Sequence, residues 1–283
     1  RSALLGNDGQ KLEQVFSLFP RLDPTRVLFT PSFAARAEYA AALQRDVWVT
    51  LDSIYPLQHW PELFRNRSIW LRLDPGYGRG HHEKVRTAGS GAKFGLALDD
   101  IDGFVSLARS LKVRIFGLHA HTGSGIFDAT HWRDVFGRLA AAAEQLGSIE
   151  ALNLGGGLGV ASNPQASPFD MDALSQALAE VKAMVPQYSL WMEPGRYLVA
   201  DGGVLLLGVT QTVEKSGVFR VGVDGGMNAL LRPALYNARH EVVNLSRINE
   251  PDTLLCDIVG PICETGDVLA RRRRLPETKE GDV

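Results

Sequence analysis

The sequence predicts an α/β fold: a (β/α)8 barrel of the TIM type over residues 1–200, then a smaller all-β domain over residues 201–283. Three observations predict it. From about Val27 to Arg196, short apolar strands alternate with amphipathic helices, which implies a parallel sheet with helical crossovers. Polar or glycine-rich motifs follow several strands in succession, and a closed barrel gathers all its strand ends at one mouth. After about Asp201, strand-like stretches follow one another with no long helix between them.

Residues 27–30 are β-branched and aromatic, and Pro31 ends them. A helical pattern holding Phe33, Ala34, Tyr39 and Leu43 comes next. Residues 47–50 read as a second strand. Residues 68–73 read as a third, with apolar side chains two apart. The strand at 113–118 precedes a helix in which Trp132, Val135, Phe136, Leu139, Ala143 and Leu146 share one face. Residues 151–154 form the next strand. Met171, Leu174, Leu178, Val181 and Met184 mark a helix with Asp170 as its N-cap. Residues 190–192 close the series. In the second part, residues 203–213, 218–223, 240–245 and 253–259 are strand-like. No linker rich in Pro, Gly or Ser separates the parts, so they are expected to pack together.

The 283 residues are 45% hydrophobic and 22% charged, with a net charge of −2. This balance gives no global pull toward nucleic acid or membrane. The one basic block, Arg271 to Arg274, has no interleaved aromatic residues and reads as a solvated loop. Two cysteines, Cys256 and Cys263, make no disulfide framework, and a reducing cytoplasm fits best. No signal peptide and no long apolar run is visible, so no membrane partner is expected.

Five motifs could carry chemistry. His119-Ala120-His121-Thr122-Gly123-Ser124-Gly125 ends a strand. It reads as a turn with a buried histidine or as a ligand-facing edge. Its i, i+2 histidine pair could also ligate a metal. No carboxylate or cysteine sits close in sequence to complete such a site, so no metal is assigned. Gly155-Gly156-Gly157-Leu158-Gly159 can bring backbone N–H groups to a phosphate, but no Lys-Ser/Thr follows to make a P-loop. Glu193-Pro194-Gly195-Arg196 is either a surface ion pair or an acid and a base aimed into a barrel mouth. Arg232-Pro233-Ala234-Leu235-Tyr236 and Cys263-Glu264-Thr265-Gly266-Asp267 lie in the second part and are turns on the plainest reading.

In this order the five motifs resemble the fold-type-III pyridoxal-phosphate decarboxylases, the group that acts on ornithine, arginine and diaminopimelate. Cys-Glu-Thr-Gly-Asp points to the diaminopimelate branch, as do residues 82–87 and 92–95. Residues 79–82, 117–125 and 259–266 look closest to the decarboxylase half of bifunctional aspartokinase/diaminopimelate decarboxylases. The resemblance covers nearly all of the chain after about residue 12. It implies pyridoxal 5'-phosphate as cofactor and decarboxylation of meso-2,6-diaminopimelate to L-lysine in a cytoplasmic homodimer with shared active sites. His121 would stack on the cofactor ring and Glu193 would pair with its pyridinium nitrogen. Ser124, Gly155, Gly156, Gly157, Gly195 and Arg196 would hold the phosphate. Arg196, Arg232 and Tyr236 would bind substrate carboxylate, a role that suits the arginine fork. Glu264 would meet the distal ammonium and Cys263 would donate a proton.

The sequence departs from the family in one respect that bears on catalysis. The cofactor-bearing lysine of a Tyr-Ala-x-Lys-Ala-Asn motif is absent, and none of Lys11, Lys84, Lys93, Lys112, Lys182, Lys215 and Lys279 matches it. Residues 1 to about 10 do not fit the expected first strand. Residues 280–283 match a point where the family continues. The expectation is an incomplete piece of such an enzyme, cut at both ends and inactive alone. The alternatives are another basic amino-acid decarboxylase of the ornithine or arginine type, or a non-catalytic binding protein like the antizyme inhibitors.

Overall fold

The computed structural model describes residues 4–6, 9–89, 91–161 and 165–283. The chain forms two compact units. One comprises Arg1–Gly159 with Phe169–Leu198; the other comprises Val160–Pro168 with Val199–Val283.

In the first unit, seven parallel strands lie side by side in chain order: Leu4–Gly6, Val27–Phe29, Trp48–Leu51, Ser68–Asp74, Arg114–His119, Ala151–Asn153 and Ser189–Trp191. A doubly wound sheet reverses its strand order at a switch point, whereas a barrel does not. The unbroken order is that of a barrel wall. Short Leu96–Ala97 pairs beside Ser68–Asp74. The principal crossover helices are Arg36–Gln44, Ile101–Ser110, His131–Leu146 and Met171–Met184. Helix Met171–Met184 starts where the sequence places it, with the Asp170 carboxylate accepting the Ala173 N–H at 2.8 Å.

Strand side chains alternate between two surroundings, as the two-residue period requires. Val27, Phe29, Val49, Leu51, Ile69, Leu71 and Leu73 join the large core that also takes in the helices through Phe104, Trp132, Val135, Leu139 and Leu174. Their neighbours Leu28, Trp70 and Ala151 face the other way and form a separate cluster with Trp48, Phe116 and Trp191. Gly117 is needed in this cluster, because a Cβ there would meet the Trp70 ring.

Two expectations for this unit change. Leu4–Gly6 does form a strand, paired in parallel with Val27–Phe29, and Gly9–Leu18 is a helix. Three residues suffice for such a pairing, too few to show a periodic pattern. Phe33 lies outside the helix, which begins at Arg36; it has a φ of 53° and is 78% exposed.

The second unit is a four-stranded mixed sheet ordered Val209–Lys215, Val218–Val223, Leu254–Val259, Val268–Leu275. The first two strands are joined by Ser216 and Gly217, both at positive φ, which matches the twist of a tight hairpin. Val209, Val221, Val223, Cys256, Ile258 and Leu269 make its core.

Three expectations are corrected here. Residues 203–208 are outside the first strand, which runs Val209–Lys215. Residues 240–245 form no strand, despite Val242, Val243 and Leu245. Asn244 there is held by side chains instead, donating to Thr278 Oγ1 at 3.1 Å and Asp282 Oδ2 at 3.0 Å. Arg271 to Arg274 are not a loop but part of Val268–Leu275, the last strand in the sheet order. Among the described residues this strand pairs on one side only, with Leu254–Val259. Arg271, Arg272 and Arg274 are exposed and Arg273 is half-buried. Among the described residues, no helix is long and apolar enough to cross a membrane.

Candidate active site

The site grows out of the alternation in the first unit. Two residues beyond five members of the inner cluster, and beyond Gly117 in place of Phe116, which is followed by the apolar Leu118, the side chain is polar. Leu28 is followed by Thr30, Trp48 by Thr50, Trp70 by Arg72, Gly117 by His119, Ala151 by Asn153, and Trp191 by Glu193. Thr50, Arg72, His119 and Asn153 are all more than nine-tenths buried. A polar layer thus lies on an apolar one at the C-terminal ends of the strands, the end where barrels carry their chemistry.

Glu193 is the anionic member. Its Oε1 accepts the Asn153 Nδ2–H at 2.7 Å and lies 3.4 Å from His119 Nε2. Burial pushes its pKa up. The nearby His119 and His121 and the Asn153 amide outweigh that and hold it down at about 2, so Glu193 stays ionised. Asn153 also accepts the Gly155 N–H at 3.0 Å through Oδ1, tying the glycine turn to Glu193. Gly156 admits no side chain, because a Cβ would collide with the Glu193 carbonyl oxygen. Among the described residues, His119 Nδ1 is buried with no hydrogen-bond partner, and Nε2 has only the 3.4 Å approach to Glu193 Oε1.

His121 is half-buried. Its Nδ1 accepts the Gly156 N–H at 3.1 Å, which assigns the neutral ring with its proton on Nε2. Burial lowers its pKa from 6.5 to about 4, opposed by Glu193 and reinforced by Arg72. The His121 carbonyl accepts the Thr87 hydroxyl at 2.7 Å. Arg196 Nη2 donates to Ser124 Oγ at 2.9 Å, joining two of the anticipated phosphate contacts. Gly195 opens the short helix Gly195–Val199, and its N–H bonds back to the Glu193 carbonyl at 2.8 Å. Deeper in the layer, Ser32 donates to Asp52 at 2.9 Å. Burial raises the Asp52 pKa, partly offset by Ser32 and Arg72.

Sequence reasoning assigned no role to Asn153, Arg72, Asp52 or His119. The signal was present as a polar residue two positions past an apolar one on successive strands. It becomes readable only when the strands are known to share one interior.

The remaining candidates belong to the second unit. Arg232 opens the helix Arg232–Tyr236, and its Nη1 lies 3.1 Å from His240 Nε2. Cys263 is exposed, in contrast to the buried Cys256. The Glu264 N–H bonds to the Ile262 carbonyl at 2.7 Å, and Glu264 Oε1 accepts the Gly266 N–H at 3.1 Å.

His131, 2.6 Å from Thr122 Oγ1 through Nε2, is also pushed down from 6.5 to about 4, chiefly by burial. Both histidines therefore favour the neutral form when folded. Between pH 6.5 and about 4 the unfolded chain binds protons that the folded chain does not. Stability is expected to fall with pH through that window and to level off below it. Urea midpoints at successive pH values check this; a flat profile from pH 7 to 5 would count against it.

These residues suit a flat heteroaromatic ring with a basic nitrogen and a phosphate. Glu193 offers a negative charge, His121 a neutral ring, and Arg196 and Ser124 offer hydrogen-bond donors, while the Gly155 and Gly156 N–H groups bond to Asn153 and His121. Three of the seven lysines engage other groups. Lys182 donates to the Pro186 and Tyr188 carbonyls, Lys279 pairs with Glu277, and Lys93 lies over the Phe33 and Phe94 rings.

Comparison with known proteins agrees with this chemistry. Residues 10–200 match the family model described as pyridoxal-dependent decarboxylase, pyridoxal binding domain. The diaminopimelate decarboxylase of Methanothermobacter thermautotrophicus is 35% identical over 282 residues, covering 94% of this chain and 65% of that protein. The Bacillus subtilis enzyme of the same name is 31% identical over 278 residues, covering 91% and 63%. The chain thus spans just under two thirds of the length of these relatives. A crystal structure of diaminopimelate decarboxylase matches with a TM-score of 0.89 at 27% identity, over 99% of this chain and 71% of that one. The Helicobacter pylori diaminopimelate decarboxylase complexed with L-lysine matches at 0.85 and 25% identity, over 99% and 72%.

Proposed function

This chain belongs to the pyridoxal-dependent decarboxylase family, and from that premise we propose that it serves the pyridoxal-phosphate-dependent decarboxylation of meso-2,6-diaminopimelate to L-lysine. The observation that carries the reading is Glu193, ionised and fixed by Asn153 at the end of its strand. Named relatives at 28% to 35% identity support the choice of substrate.

Bound pyridoxal phosphate supplies a ring that accepts the electron pair released when carbon dioxide leaves. Glu193 would hold a proton on the ring nitrogen and so keep that ring electron-poor. His121 presents the face of a neutral imidazole. Arg196, Ser124, Gly155, Gly156, Gly157 and Gly195 hold the phosphate. Arg196, Arg232 and Tyr236 bind substrate carboxylate, Glu264 binds the distal ammonium, and Cys263 returns a proton to the product. The reading includes a cytoplasmic homodimer in which the second unit's residues complete the partner's site.

An ornithine- or arginine-type decarboxylase would differ in substrate profile. A binding protein of the antizyme-inhibitor kind has no physical need for the Glu193–Asn153–His119 layer, which favours the enzyme. The test is the absorbance of the chain with added pyridoxal phosphate, before and after borohydride, followed by mass analysis. Decarboxylation of diaminopimelate by the protein expressed from its complete gene is assayed alongside. Cofactor binding without a covalent lysine adduct on these 283 residues, together with carbon dioxide release by the complete product, is expected. No release would overturn the reading. A stoichiometric adduct at one of the seven lysines would show that it carries the cofactor.

Glu264→Ala is expected to lower kcat/KM for diaminopimelate by about tenfold or more, since a charge-assisted contact is lost. Unchanged kcat/KM would remove Glu264 from the site.

A further inference from the structure

The second unit holds a buried carboxylate to which the reaction assigns nothing. Asp267 is 3% exposed. Its Oδ1 accepts the Met227 N–H at 2.6 Å and its Oδ2 accepts the Ile262 N–H at 2.8 Å. These amides lie on two different loops. Ile262 directly precedes Cys263 and Glu264. Met227 starts the turn that runs through Leu230 into the Arg232–Tyr236 helix, with the Ala229 and Leu230 N–H groups bonded to the Gly226 carbonyl. The Asp267 backbone closes its own loop as well, its N–H going to the Glu264 carbonyl at 2.9 Å and its carbonyl accepting the Gly260 N–H at 3.0 Å. Gly226 and Gly260 line the carboxylate so closely that a Cβ at either would strike its Oδ2.

We propose that Asp267 is a positioning residue that locks the Cys263–Glu264 loop to the turn leading into Arg232 and Tyr236, so that both groups of substrate contacts are presented as one piece. Two charge-assisted hydrogen bonds to backbone amides on separate loops do what neither loop's internal bonds can do. The residue acts through Glu264 and Arg232 and touches no substrate. The inference rests on the reading that those residues contact diaminopimelate.

The test has two arms on Asp267→Asn and Asp267→Ala. Asparagine keeps the shape and one acceptor oxygen; alanine keeps neither. In the first arm, amide exchange at Met227 and Ile262 and alkylation of Cys263 are followed, with buried Cys256 as the internal reference. Both exchange and alkylation are expected to accelerate, more in the alanine variant. In the second arm, kcat/KM for diaminopimelate is measured in the cofactor-loaded protein from the complete gene. A loss of about tenfold is expected in Asp267→Ala, with partial rescue in Asp267→Asn. In a Glu264→Ala background most of that loss is expected to vanish, because coupled residues are non-additive. Fully additive losses, or unchanged exchange at both amides, would overturn the inference while the proposed function stands. A parent protein inactive on diaminopimelate would overturn the function and the substrate role of Asp267 together. If Asp267→Ala does not fold, Asp267→Asn and its double variant carry the same comparison.

Discussion

Glu193→Gln is expected to lower kcat for diaminopimelate by about a hundredfold or more, the scale on which single preorganised electrostatic contacts act. Glutamine keeps the length of the side chain and an oxygen able to accept from Asn153, which donates at 2.7 Å in the parent. What it removes is the charge proposed to hold a proton on the ring nitrogen of bound cofactor. The cofactor is therefore expected to bind, since Arg196, Ser124 and the glycine turn are untouched, while turnover collapses. Carbon dioxide release and cofactor titration on the same preparation separate the two effects. A variant that turns over at the parent rate would sink the role given to Glu193.

Asn153→Ala is expected to cost stability and cofactor affinity at once. Asn153 is fully buried and bonds in two directions, to Glu193 and to the Gly155 N–H. Truncation leaves the Gly155 N–H without its acceptor and the Glu193 carboxylate with only the histidines beside it, at about 1–3 kcal/mol for each lost bond. The Glu193 pKa is expected to rise, because one of the contacts that lower it is gone. The urea midpoint reports the first effect and the cofactor dissociation constant the second. Asn153→Asp is a sharper probe: it keeps the shape but sets a like charge against Glu193. If cofactor affinity in both variants equals that of the parent, the link from Asn153 to the glycine turn has no functional weight.

Much of the fold was legible because burial and period agree. In residues 68–73 the apolar Ile69, Leu71 and Leu73 stand two apart and share one core, though Trp70 and Arg72 between them are buried as well. The face of Trp132, Val135, Phe136 and Leu139 is buried as a helix face. Glu193, His121 and the glycine turn were singled out by their chemistry, and in the first unit they lie together, with the Gly156 N–H on His121 Nδ1 and Gly156 against the Glu193 carbonyl. Other features were hidden for physical reasons. Thr50, Arg72 and Asn153 look like ordinary polar positions until their strands are seen to share an interior. Residues 240–245 hold Val242, Val243 and Leu245 and look strand-like, yet the Asn244 amide is tied to Thr278 and Asp282 instead of a neighbouring strand. The four arginines hide a strand because charge reads as loop wherever one edge of a sheet is assumed to be covered.

That last strand has a consequence for how the molecule behaves at high concentration. A sheet margin is a template onto which any extended chain can crystallise its own backbone, and growth of that kind is how soluble proteins turn into fibres. Val268–Leu275 resists it twice over. Arg272 stands at a φ of 50°, breaking the flat repeat a newcomer must copy, and its N–H is already taken by Asp257 Oδ1 at 2.8 Å. The exposed guanidinium groups of Arg271, Arg272 and Arg274 then make any identical chain arriving in register face its own charge. The cationic run thereby serves as a built-in colloidal brake, strongest at low ionic strength and weakened as salt shortens the reach of that repulsion.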